Sequence, residues 1–168
     1  QHTKERKPDV LKKVTDNLGN TFVLQIEFQV ADEPEMVYRM ADYCIMLVRK
    51  YKLPIRQFVI FLGKANPQME TELMMEDLSF RYHLRSIKAI DYQLFLKSGK
   101  PEEIVFAVLS NFGADNPETA IENIVDRLEE TTGTELTLKK YINQLRILAE
   151  LRKLDLQIDE IMESIAKY

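Results

Sequence analysis

The segment Thr21 to Val30, TFVLQIEFQV, constrains the fold most, because its strict alternation is that of a β-strand. Phe22, Leu24, Ile26, Phe28 and Val30 fall on one face, and Gln25, Glu27 and Gln29 on the other. Upstream, Pro8-Asp9 opens a second short strand over Val10 to Thr15, and Asp16-Asn17-Leu18-Gly19-Asn20 is the polar, Gly-containing turn that folds the two into a hairpin. That hairpin brings Asp9 toward Glu27. Carboxylates held close together repel and raise each other's pKa unless a cation lies between them, and a divalent metal is the economical reason for the pair.

Asp32, followed by Glu33, Pro34 and Glu35, is expected to cap a helix in which Met36, Met40, Tyr43, Cys44, Leu47, Val48 and Tyr51 form a core stripe. Arg39 lies at the margin of that stripe, within reach of a phosphate or of the Glu27 side of the sheet, or else in a structural ion pair. Leu53-Pro54 ends the helix, and Phe58 to Leu62, closed by Gly63, has the character of a buried central strand. A helix between two strands implies a crossover. Asn66 to Glu76 is methionine-rich and is expected as a loop or short helix. Phe80, Tyr82 and Leu84 alternate with Arg81, His83 and Arg85, predicting one more strand or a bent pair. The three basic groups on one face suit phosphate contact or a charge-protected edge. His83 lacks the paired spacing of a metal ligand, since the other histidine is His2.

From Asp91 onward the pattern is helical, with segments near 91–98, 101–112, 117–131, 135–151 and 153–167. Pro101 and Pro117 occupy first-turn positions. The last stripe, Leu154, Ile158, Ile161, Met162 and Ile165, serves either its own domain or a homodimer through the C-terminal helices.

With 168 residues, 45% of them hydrophobic, the chain can build a sizeable core. One cysteine, Cys44, excludes a disulfide framework and fits a reducing cytoplasm. No run approaches the length of a membrane span, and QHTKERKPD lacks the apolar core of a signal peptide. The net charge of −4 argues against a surface that traps nucleic acid everywhere, yet residues 1–13 carry five cations against two anions. That patch lies beside Asp9, and is either a phosphate-binding feature or a solvated edge.

Pro8-Asp9 followed by Glu27-Phe28-Gln29 resembles the PD-(D/E)xK nuclease superfamily, with Gln29 where lysine is more usual. Within it, Ile26-Glu27-Phe28-Gln29, the helix bearing Tyr38-Arg39-Met40 and Tyr43, Leu53-Pro54-Ile55, and the tail Tyr141-Ile142-Asn143-Gln144-Leu145 resemble the recombination-promoting (Rpn) nucleases, also called PD-(D/E)xK family transposases. The resemblance implies an α/β fold, a restriction-endonuclease-like mixed β-sheet flanked by helices, with a nuclease-like core over 1–98 and a helical extension over 99–168 packed on it. Members of that family have a helical segment before the hairpin, so this sequence is expected to lack its natural beginning.

The resemblance also implies a metal-dependent endonuclease acting on double-stranded DNA. Asp9, Glu27 and the backbone carbonyl of Phe28 would hold Mg²⁺ or Mn²⁺, and Gln29 would position water. Arg39, Tyr43, Lys12, Arg81 and Arg85 are the DNA-binding candidates. Glutamine offers a dipole where lysine offers charge, so a basic residue on the following helix is expected to compensate. The alternatives are a catalytically weak or silent nuclease fold that binds DNA or a protein, and a helix-rich interaction module whose strand polar face is merely solvent-exposed.

Overall fold

The computed structural model describes residues 7–165, so His2, Lys4 and Arg6 lie outside the described residues. Two compact units divide between Ser86 and Ile87. In the first, strands β1 (Val10–Thr15) and β2 (Thr21–Gln29) form the expected hairpin, in antiparallel register Val10 to Ile26 through Thr15 to Thr21. Asp16 makes the turn: its carboxylate accepts the N–H groups of Leu18 at 3.0 Å and Asn20 at 2.9 Å. Gly19 supplies the left-handed residue, at φ +83°.

Helix α1 (Met36–Tyr51) then crosses to strand β3 (Ile55–Phe61), which lies parallel to β2. Strand β6 (His83–Ser86) adds in parallel on the far side, giving the order β1-β2-β3-β6. A separate antiparallel hairpin joins β4 (Glu72–Met75) to β5 (Leu78–Arg81).

Four sequence expectations need correction. Asp32 does not cap α1, because its carboxylate accepts the main-chain N–H of Gln68 at 2.8 Å and ties down a distant loop; the cap position is Glu35. The methionine-rich stretch contains a strand, since Leu73 and Phe80 of the β4–β5 hairpin pack against the cluster formed by Met36, Val37, Met40 and Tyr43 of α1. Arg81, His83 and Arg85 do not share one strand face, because the bent pair expected over Phe80 to Arg85 spans two sheets: Tyr82 separates them, buried, with its hydroxyl donating to the Glu70 carbonyl at 2.8 Å. Val48 is exposed rather than part of the core stripe.

The fold also inverts the simplest reading of β2. The face carrying Val23, Gln25 and Glu27 is the more deeply buried one, and turns toward α1 with Gln57, Val59 and Phe61 of β3. The polar face is therefore not a solvent-exposed surface. Its burial is tolerable because its polar groups pair with one another.

The second unit is helical: α2 (Tyr92–Leu96), α3 (Pro101–Ile104) with a 3₁₀ continuation over Val105–Leu109, α4 (Pro117–Thr131), α5 (Glu135–Glu150) and α6 (Asp155–Ile165). Ile121, Ile124 and Leu128 of α4 pack into its core with Leu145 and Ile158. Leu154, Ile158 and Ile161 are thus buried, with α6 packed against α4 and α5. Arg152 donates to the carbonyls of Val108 at 3.0 Å and Ser110 at 2.7 Å, closing the end of the 3₁₀ turn. Among the described residues no helix is long and apolar enough to cross a membrane.

Candidate functional site

The β1–β2 register carries Asp9, one residue before β1, alongside Glu27 and Phe28. The Asp9 carboxylate accepts the Phe28 main-chain N–H at 2.8 Å, which fixes one oxygen of the acid against β2. The neighbouring wall comes from α1. Lys7, Asp9, Glu27, Phe28, Gln29, Arg39 and Tyr43 together line one cleft of about 280 Å³.

Glu27 is only 5% exposed. Burial pushes its carboxyl above the usual carboxylate range; the Gln25 hydrogen bond opposes this, the charge of Asp9 adds to it, and Arg39 opposes it again. Two carboxylates, one of them desolvated, therefore share a cleft. The Arg39 guanidinium donates through Nη2 to the Met36 sulfur at 3.2 Å, while its buried Nε has no hydrogen-bond partner. Among the described residues no carboxylate lies within ion-pair distance of Arg39, so the structural ion pair weighed for it is not formed there.

This donor set fits a hard divalent cation. Carboxylate and main-chain oxygens suit Mg²⁺ or Mn²⁺, whereas thiolate and imidazole donors suit softer ions. Among the described residues no group of three or more His, Cys, Asp or Glu side chains comes together, and the cleft is lined by two acids, Asp9 and Glu27. A cation between Asp9 and Glu27 would relieve both their repulsion and the burial of Glu27.

Six of the sequence candidates, Asp9, Glu27, Phe28, Gln29, Arg39 and Tyr43, thus meet in one place. Three DNA-binding candidates do not. Lys12 pairs with Leu24 in the β1–β2 ladder and lies on the opposite sheet face from Glu27, because side chains alternate along the strand. Arg81 belongs to the β4–β5 hairpin, where it pairs with Glu72 at 3.6 Å. Arg85 is on β6 and is not part of the cleft lining; His83, on the same strand, stacks on Phe58 with ring centroids 4.9 Å apart.

Gln25 was legible as a member of the polar face of β2 but not as a partner of Glu27, and Gln57 was not singled out by sequence. Lys7 was legible only as part of the basic N-terminal patch. A lone amide in the otherwise apolar stretch of β3 after Arg56 was the available signal for Gln57. Comparison with protein-family models, curated proteins and solved structures finds no match.

Proposed function

We propose that the chain is a metal-dependent endonuclease of the recombination-promoting type, hydrolysing phosphodiester bonds in double-stranded DNA. The observation that carries this reading is the convergence of Asp9 and the buried Glu27 with Lys7 and Arg39 around one cleft. Asp9 and Glu27 would hold Mg²⁺ or Mn²⁺, with the Phe28 carbonyl as third donor on the resemblance described above. Such an ion, when bound, lowers the pKa of water and stabilises charge developing on phosphate.

The other residues bind and orient. Gln29 presents an amide that can direct a water or a phosphate oxygen but brings no charge. Arg39, on the helix that follows, brings a guanidinium and its positive charge to the cleft lining, where it would meet a phosphate. Lys7 adds a second cation at the cleft. The reducing cytoplasm is the compartment proposed, since the sole cysteine, Cys44, is unpaired.

Gln29 favours a second reading, a weak or silent nuclease fold that binds DNA or a protein partner. Cleavage of supercoiled plasmid in Mg²⁺ or Mn²⁺, by wild type beside folded Asp9→Ala and Glu27→Gln variants, separates the two. Loss of cleavage in both variants supports the nuclease. Absence of cleavage by wild type, with DNA still bound, supports the silent module.

A further inference from the structure

Behind Glu27 the polar face of β2 continues into the interior. Gln25 is fully buried and Gln57 is 4% exposed, adjacent in the parallel β2–β3 register, on the strand face of β3 that also carries the buried Val59 and Phe61. Buried amides are costly unless their hydrogen-bonding groups are satisfied, and an apolar pair of the same size would fill this space without that demand. Neither residue has a buried unpaired side-chain atom.

The hydrogen bonds run in one direction. Gln57 Nε2 donates to the Met40 main-chain carbonyl at 2.8 Å and to Gln25 Oε1 at 2.8 Å. Gln25 Nε2 then donates to Glu27 Oε1 at 3.1 Å. A main-chain carbonyl can only accept, so Met40 decides which end of the Gln57 amide faces it. The second N–H of Gln57 settles the orientation of Gln25 in turn. The last donor of the chain is aimed at the carboxylate.

We infer that Gln25 and Gln57 are positioning residues for Glu27, holding its Oε1 from the buried side so that its other oxygen is presented to the cleft as a metal ligand. The inference rests on the metal site proposed above. Outer hydrogen bonds of this kind orient ligating carboxylates in metal sites generally, and their loss typically costs about 10- to 100-fold in metal affinity.

The test is Mn²⁺ binding measured by isothermal titration calorimetry on the whole chain, with thermal melts in EDTA to show folding. The variants are Gln25→Met, Gln57→Met and, as a control, Glu27→Gln. Methionine keeps the length and volume of glutamine and removes its donors. The expected result is Mn²⁺ binding by wild type, none by Glu27→Gln, and affinity about 10-fold weaker or worse in both methionine variants. Gln57→Met is the decisive one, because Gln57 reaches Glu27 through Gln25 rather than by its own hydrogen bond, and it serves alone if Gln25→Met fails to fold. Folded methionine variants that bind Mn²⁺ as wild type does, whatever their melting temperature, overturn the positioning role and leave the metal site standing. Wild type that binds no Mn²⁺ overturns the metal site and this inference with it.

Discussion

The metal-ligand role proposed for Glu27 would set function against stability at a single residue. Its raised pKa means that the folded chain holds the proton more readily than the unfolded chain does. Between the unfolded value and the raised folded one, the native state binds more protons, so stability falls as pH rises through that window and stays lowered above it. Glu27→Gln removes this penalty while its side-chain oxygen can still accept from Gln25. Thermal melts in EDTA should therefore show the variant more stable than wild type at neutral pH, with the advantage shrinking as pH falls below the carboxylate range; parallel curves would contradict this. Saturating Mg²⁺ should raise the wild-type melting temperature and leave that of the variant unmoved. Arg39 tests the phosphate contact proposed for the same cleft: Arg39→Met should lower the cleavage rate by about 10² to 10³, the usual cost of one positioned donor. Arg39→Lys should restore little, since a point charge does not reproduce the guanidinium fork. At this scale the hairpin spacing brought Asp9 toward Glu27 and the helix pattern put Arg39 near them, as the cleft lining has it, while the role given to Gln29 rests on the family resemblance. The sequence did not reveal Gln25 as buried, because its partner Gln57 lies 32 positions away and local periodicity carries no trace of such a pairing.

Among the elements, the hairpin was the most legible, since the alternation of β2 and the turn at Asp16 to Asn20 are written in adjacent residues. The crossover through α1 followed from a helical stripe between two strands. The division of Phe80 to Arg85 between two sheets was not legible, because alternation continues unbroken through Tyr82 while the hydrogen-bonding partner changes. Gly63 tests how tightly the crossover is closed. A Cβ there would collide with the Val30 carbonyl and the Phe61 ring, and Leu62 beside it donates its N–H to the Gln29 carbonyl at 2.8 Å. Gly63→Ala should cost about 1–3 kcal/mol by overpacking, measured by urea denaturation. Unchanged stability would mean that the ends of β2 and β3 part easily. Because Gln29 is at that closure, reduced cleavage should accompany the loss of stability.

For the whole molecule, charge sets how DNA could be held. The net charge is −4, and among the described residues the cleft offers Lys7 and Arg39 as its cations. Each phosphate contact contributes about 0.9 to the slope of log affinity against log salt, so binding through the cleft alone predicts a slope of about −2. Fluorescence anisotropy on a short duplex over a salt series checks this, and a slope several times steeper would place most of the contact on basic surface elsewhere. The composition and the helical pattern after Asp91 made a helical second unit legible. Its boundary at Ser86 was less so, since the turn over Ile87 to Ala89 continues directly from β6.

Met40, whose carbonyl ends the amide chain from Glu27, is the residue immediately after Arg39 in α1. The acid and the cation that line the cleft are therefore both indexed to one turn of one helix. Rolling or sliding that helix would shift both together, like two hands driven from a single spindle.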